Sequence, residues 1–462
     1  MTKKNLMQYL GYGVGALGMD LSYGLFFSFM NIYMTDIIYM PALFLMTLTF
    51  LARIWDGVND PIMGTIVDNT VSRFGKYRRW LLIGASTNAL VLALLFWNPG
   101  FPAQPGQASV GLMIWVSIMY ILWDMTNTMM DIPFWSMVPS LTSDPKQRNI
   151  AATIPRAFSG LGQMLIVLLS TRMIEGLGRQ EGLNAPGFQR WAMLCGGALF
   201  LLVLVSFFST GKIKMIAQTE APPEKFNLRR VFRTLLQNDQ LMIFMLVALL
   251  NNTGWYMVSG LSAHYFKYVW GDLHAIAFFG TLVGAGQATG LILLPLLTRR
   301  LERNTVIKLA MAFSIAGYLG MFLFSAVLNV YVLFAVFGFI GMMGIGCSFV
   351  AQTVMLSDIV DYGGFVQGYR ADSVIFSMKG LLQKGAYSIQ GLIMFAGLAI
   401  TKYQGELAVQ PIAAQRGITV MMFLLPPLFT LAALVIFGRK YKLDRGRMEE
   451  VTAAIRAKRE DG

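Results

Sequence analysis

The sequence predicts an all-α integral membrane protein, with twelve transmembrane helices in two pseudo-symmetric six-helix bundles. Three observations carry that prediction. The 462 residues are 56% hydrophobic and only 13% charged, where soluble domains average roughly 25% charged residues. Apolar stretches near the length that crosses a bilayer as a helix recur along the whole chain. The longest polar stretch, 212–240, contains Ala221-Pro222-Pro223-Glu224-Lys225 and divides those stretches six and six. Such a division suggests two repeated bundles with a substrate site between them at the bilayer midplane.

The spans are expected at 9–34, 42–67, 79–97, 109–138, 153–174 and 191–211 in the first half. In the second half they are expected at 241–268, 275–297, 305–324, 330–356, 374–400 and 417–437. Residues 1–211 then make the N-terminal bundle, 212–240 a central cytoplasmic loop, 241–440 the C-terminal bundle and 441–462 a cytoplasmic tail. The first span follows Lys3 and Lys4 and has no small-residue cleavage site, so it reads as an uncleaved span. Glycine clusters such as Gly284-Ala285-Gly286 and Gly341 to Gly346 let helices approach closely within the spans. The charged stretch from Asp444 to Gly462 suits a short surface helix.

The net charge of +13 follows the loops and does not point to nucleic acid. With the N-terminus cytoplasmic, alternate loops collect Arg73, Lys76, Arg78, Arg79, Lys146, Arg148, Lys212, Lys214, Lys225, Arg229, Arg230 and Arg233. Arg299, Arg300, Arg303, Arg439, Lys440, Lys442, Arg445 and Arg447 continue the series on that side. The opposite side holds only Arg172, Arg179, Arg190, Lys267, Lys402 and Arg416. This asymmetry is the positive-inside rule, and it places both termini in the cytoplasm. Cys195 and Cys347 fall within spans, expected as free thiols, with no disulfide or zinc spacing.

The second span carries the chemistry. Its run Ala52-Arg53-Ile54-Trp55-Asp56-Gly57-Val58-Asn59-Asp60-Pro61 sets two carboxylates, an arginine and an amide inside an apolar segment. A charge at the bilayer centre costs at least about 2.5–3.5 kcal/mol, so each such residue is a functional candidate. Asp56, Asn59 and Asp60 share a helix face by their i, i+3, i+4 spacing. Thr126, Thr128 and Asp131 on the fourth span extend the oxygen donors. Carboxylate, carbonyl and hydroxyl oxygens suit a hard cation such as Na⁺. Two other readings stay open: protonation of a desolvated carboxylate, and an internal ion pair with Arg53.

A second constellation joins Asp20, Asp131, Trp135 and Arg156. Asp131 and Trp135 share a face at i, i+4. Carboxylates accept from sugar hydroxyls, Arg donates through a planar fork, and an indole packs on the apolar face of a pyranose. The competing reading is an acid–arginine network with Trp135 as helix packing. A third constellation lies in the second half. Asp358, Asp361, Arg370 and Asp372 are expected in the loop before span eleven, as a cytoplasmic gate or a solvated face. Lys384 lies within that span and is expected to face the cavity, whereas Lys379 is nearer the end and can snorkel.

These motifs resemble the glycoside–pentoside–hexuronide:cation symporters of the major facilitator superfamily, over nearly the whole chain. The resemblance is strongest at Ala52 to Met63, at Tyr120-Ile121-Leu122-Trp123 and at Met130 to Pro139. It continues at Gln237 to Leu241 and Val360 to Gly363. It implies a cation site on Asp56, Asn59, Asp60 and Thr128, with Asn59 favouring Na⁺ over H⁺ alone. It implies a galactoside site on Asp20, Asp131, Trp135 and Arg156, and a role for Lys384 in neutralising the acidic cation site. Asp131 argues against a glucuronide, whose carboxylate it would repel. The chain departs from melibiose-carrying members at Met19 in place of lysine, at Asp124 in place of glycine near the sugar site, and at Phe349 in place of a cavity tryptophan.

The expected function is therefore symport, with no enzymatic activity. A cation (Na⁺, with Li⁺ or H⁺ as alternatives) would drive import of a neutral glycoside, an α-galactoside such as melibiose or a related oligosaccharide, by alternating access. Arg53 and Lys384 would form the charge network. No cofactor is expected; the partners are the sugar, the cation and the lipid bilayer of a bacterial inner membrane, and the carrier is expected as a monomer. The rivals are a carrier of another glycoside or pentoside, a lysolipid carrier, a non-transporting receptor and a membrane enzyme. Against the last, the sequence has no Ser–His–Asp set or HExxH, and only His264 and His274 as histidines.

Overall fold

The computed structural model describes residues 3–70, 72–104, 107–141, 145–211, 238–328, 330–367 and 372–460. Most of the expected central loop, residues 212–237, lies outside them.

The first half contains α1 (Lys3–Ile32), α2 (Ala42–Asp68), α3 (Lys76–Leu95), α4 (Val110–Leu141), α5 (Pro145–Gly178) and α6 (Ala185–Gly211). A short antiparallel hairpin, β1 (Ala103–Gln104) with β2 (Gln107–Ala108), joins α3 to α4. The second half contains α7 (Asp239–Tyr265), α8 (Ala275–Leu297), α9 (Arg303–Phe322), α10 (Tyr331–Gln367) and α11 (Asp372–Ile400). One further span is made of α12 (Ile412–Phe423) and α13 (Leu425–Lys440) in series. Pro426 and Pro427, with no N–H to donate, break it after Leu424 and start the new helix. The tail forms α14 (Arg445–Glu460).

With the broken span counted once, the described residues hold twelve long helical segments, as the sequence predicts. Among the described residues, ten spans are long and apolar enough to cross a membrane by length and composition alone. The two that are not are α2 and α11, which carry Arg53, Asp56 and Asp60, and Lys384. Where a helix must hold charge inside the bilayer, its own hydropathy falls.

The chain forms two compact units. The first comprises Met1–Lys225 with Asp272–Ala277 and Lys402–Gln410; the second comprises the remainder. In the first, α1 packs on α5 and α6, and α3 on α4, around Tyr12, Leu81, Met130, Phe134 and Leu199. In the second, α9 packs on α10, and α7 on α11 and α13, around Leu241, Phe244, Ile307, Leu356 and Phe437. A side chain at Gly317 of α9 would run into the backbone of Gly341 of α10, so that close crossing requires glycine. Cys195 and Cys347 are buried free thiols.

α1 ends in a π-helical turn, Tyr33–Ile37, and α7 in another, Phe266–Trp270. The first helix of each half thus closes in the same way.

One correction concerns the loop expected before span eleven. α10 runs on to Gln367 and α11 starts at Asp372, so Asp358, Asp361 and Asp372 lie on helices and not in a loop. Hydropathy drops after residue 356, but backbone bonding continues wherever an apolar face persists. Ile359 and Val360 are buried and supply that face.

A buried polar knot sets the rotation of α4. Trp123 Nε1 donates to Ser22 Oγ of α1 at 3.1 Å, and Ser22 Oγ donates to Asn88 Oδ1 of α3 at 2.9 Å. Asn88 Nδ2 then donates to Trp123 O at 3.1 Å and Thr126 Oγ1 at 3.0 Å. Phe26 stacks on Trp123 with ring centroids 3.6 Å apart. Asn88→Leu takes away the acceptor of the buried Ser22 hydroxyl, at a cost of about 1–3 kcal/mol for that unsatisfied group. A clear drop in thermal midpoint in detergent is expected; an unchanged midpoint would show that the knot is dispensable.

Candidate functional site

The acidic face of α2 meets α4. Asp56 is buried and ion-paired with Arg53 one turn back. Arg53 Nη2 also donates to Tyr120 Oη at 3.3 Å, and Arg53 Nη1 lies 3.9 Å from Asp124 Oδ1. One guanidinium therefore touches both helices. A turn further along, Thr128 Oγ1 donates to Asp60 Oδ1 at 3.1 Å. Asn59 is buried beside them in sequence, and its Nδ2 has no hydrogen-bond partner among the described residues. The α2–α4 pairing thus brings a carboxylate and a hydroxyl of the expected cation set into contact, while the other carboxylate meets Arg53. Among the described residues no three His, Cys, Asp or Glu side chains cluster as a metal site. The donor set here is mixed, with carboxylates, amide and hydroxyl, which suits a monovalent hard cation.

Asp124 stands apart from the sugar cluster to which the sequence assigned it. It is buried next to Arg53. Asp131 lies seven residues along α4, roughly 10 Å at 1.5 Å per residue, so the two acids share a side but not a site. The helical period shows the shared side and hides the separation along the axis.

The sugar-type residues form two neighbouring pieces. Trp135 Nε1 donates to Asp131 Oδ1 at 3.0 Å, and the Arg156 guanidinium lies 4.2 Å over the Trp135 ring. Asp20 is buried and takes its donors from α5: Ser159 Oγ, and Gln163 Nε2 at 2.9 Å. A Cβ on Gly162 would sit 2.7 Å from Leu17 O, so α1 and α5 meet closely beside Asp20. Arg156, Ser159 and Gln163 follow i, i+3, i+7 on one face of α5, and that stripe joins the two pieces. The stripe was visible in the sequence as polar residues at helical spacing within an apolar span; only Arg156 was singled out there. Tyr120, i−4 from Asp124, is a further contact of Arg53 to which the sequence assigned no role; spacing places it on the face of Asp124 but does not show its partner on α2.

In the second unit, Phe349 lies half-buried on α10 and Lys384 half-buried on α11. Asp358 is ion-paired with Arg303 at the start of α9. Asp361 is half-buried on α10, and Arg370 lies outside the described residues. Asp239 accepts from Tyr362 Oη at 3.1 Å, and Asn238 caps α7 while donating to Ile359 O at 3.2 Å. These acids are therefore built into the ends of α7 and α10. Asp358→Asn weakens the α9–α10 tie and leaves Arg303 without its anion, for about 1–3 kcal/mol. A double-mutant cycle with Arg303→Gln, read by thermal unfolding, is expected to show coupling; additive effects would mean that the pair does not support the fold.

Twelve membrane helices with buried charged and polar side chains along facing helices define a transporter of the major facilitator class, and not an enzyme. The chain belongs to the family described as MFS/sugar transport protein, whose model matches residues 11–445. It is 27% identical to the inner membrane symporter YicJ of Escherichia coli (strain K12), over 96% of this chain and 93% of that protein. It is 27% identical to the raffinose carrier protein of Pediococcus pentosaceus, over 96% of this chain and 70% of that one. The crystal structure of a D-xylose-proton symporter superposes with a TM-score of 0.65, covering 95% of this chain and 97% of that one, at 10% identity. That likeness is one of fold.

Proposed function

We propose that this protein is a cation-coupled symporter that imports a neutral glycoside, an α-galactoside such as melibiose or a related oligosaccharide, across a bacterial inner membrane with both termini cytoplasmic. The observation that carries the reading is the Thr128–Asp60 hydrogen bond, with Asp131 and Trp135 following on the same helix. Thr128 belongs to the cation set, and Asp131, three residues on, belongs to the sugar set. One turn of α4 therefore links the two ligands. The raffinose carrier among the relatives supports a galactoside, and YicJ supports symport.

In this mechanism Asp56, Asn59, Asp60 and Thr128 hold the cation, Na⁺ in the first instance. The cation neutralises the repulsion between Asp56 and Asp60. That fixes α2 against α4, and α4 carries Asp131 and Trp135 into position. Asp131 and Asp20 accept from sugar hydroxyls, Arg156 donates, and the indole of Trp135 covers the apolar ring face. Each ligand then raises the affinity of the other by the same factor.

Asp60→Cys is expected to abolish cation-driven accumulation in vesicles while leaving residual sugar binding; Na⁺-stimulated uptake at the wild-type level would remove the cation assignment. Asp131→Ala is expected to abolish sugar binding, and wild-type affinity in that variant would remove the sugar assignment. The direct experiment is calorimetry of a panel of neutral glycosides on the purified protein with and without Na⁺. A glycoside whose affinity rises with Na⁺ is the expected result. No response to any sugar under any cation would replace the glycoside reading with a lysolipid one.

A further inference from the structure

Asp124 is a buried carboxylate that the cation and sugar sites leave unused. It is 3% exposed, and its Oδ2 has no hydrogen-bond partner among the described residues. Its other oxygen lies 3.9 Å from Arg53 Nη1, beyond the 2.7–2.9 Å of a charge-assisted hydrogen bond. Arg53 instead pairs with Asp56, a residue of the proposed cation set. The guanidinium thus lies between two carboxylates, engaged with one and within an ångström or so of engaging the other. Its second nitrogen is held by Tyr120 Oη at 3.3 Å. Tyr120 and Asp124 stand at i, i+4 on α4, so that hydrogen bond already lays the guanidinium along the face that leads to Asp124.

A cation that binds Asp56 competes with Arg53 for the same carboxylate. An arginine evicted into a low-dielectric interior without an anion is strongly unfavourable, since it leaves an uncompensated buried charge. We propose that Asp124 is the second seat of Arg53: as the cation takes Asp56, the guanidinium swings about its Tyr120 contact and pairs with Asp124. Before the exchange one guanidinium faces both carboxylates and engages Asp56; after it, the cation sits on Asp56 and the guanidinium on Asp124, so each carboxylate has its own positive charge. Arg53 acts as a resident counter-ion that makes way for the coupling cation, and Asp124 is a positioning residue for it. The inference rests on the cation reading above and adds the fate of the displaced arginine.

The test titrates Na⁺ and Li⁺ by calorimetry onto the full chain in lipid nanodiscs. Asp60→Asn is measured first. If it binds cation like the wild type, or if the wild type binds neither ion, the cation reading falls and the exchange falls with it. Where Asp60→Asn loses cation binding, Asp124→Asn is expected to raise the cation Kd about tenfold or more, because the evicted arginine has lost its seat. Asp124→Ser is the second truncation and should do the same, while Asp124→Glu should restore most of the affinity. Unchanged affinity in the truncations overturns the exchange and leaves the cation site standing. The deciding control is Arg53→Gln. With no guanidinium to reseat, the Asp124→Asn penalty should largely vanish in that background. An equal penalty in both backgrounds would show that Asp124 acts only as a distant negative charge, and would overturn the proposal. Thermal midpoints accompany each variant: a loss of affinity that tracks a collapsed midpoint, and that Asp124→Glu does not rescue, would also overturn it.

Discussion

A carboxylate in the interior of a bilayer must be paired, protonated or given a cation, and in the first unit Arg53 is where that requirement is met. Its guanidinium holds Asp56, touches Tyr120 and approaches Asp124, so α2 and α4 are joined by charge as well as packing. The rest of the site depends on this. α2 lacks the apolar surplus that marks the other spans, and it stays in register against α4 through polar contacts that lipid cannot replace. The Ser22–Asn88–Trp123–Thr126 knot then sets the rotation of α4, which determines where Asp124, Thr128 and Asp131 point. The two acids spaced along α4, Asp124 and Asp131, meet different environments: Arg53 approaches the first, and Trp135 donates to the second.

Both units hold buried amides in their interiors, and the first also holds buried carboxylates. The first holds carboxylates: Asp20, Asp56 and Asp124 are all buried. The second holds neutral amides. Asn251, Asn252, Gln352 and Gln390 are buried, and Asn252 and Gln352 exchange hydrogen bonds across α7 and α10. Asn252 and Gln352 thus satisfy one another without a counter-ion. α1, α7 and α9 each close on a π-turn.

Much of this could be read from the sequence, for identifiable reasons. The spans were legible because lipid imposes a length and a composition on every helix that crosses it. The face shared by Asp56, Asn59 and Asp60, and the Asp131–Trp135 pair, were legible because helical spacing is local. What spacing cannot supply is a partner on another helix. Asp20 was expected beside Arg156, yet its donors are Ser159 and Gln163 one and two turns along α5. Asp124 was grouped with the sugar residues and lies instead against Arg53 of α2. The end of α10 was read as loop because hydropathy stops at the membrane surface, where a helix need not.

The docked tail has a consequence for the order in which the chain folds. Leu443 and Val451 are fully buried, and Tyr441 and Met448 pack with the same cluster as Leu241, Phe244 and Phe437. Lys442 N donates to Gln240 Oε1 at 2.8 Å, and Asn304 Nδ2 donates to Leu443 O at 3.3 Å, so the tail closes over the starts of α7 and α9. Burial also drives the Tyr441 hydroxyl well above its ordinary pKa, so it stays protonated there. These residues leave the ribosome after the spans α1 to α13. The second unit can insert helix by helix during synthesis, but its core is sealed only when residues 441–451 arrive, which makes its completion a late step of biogenesis.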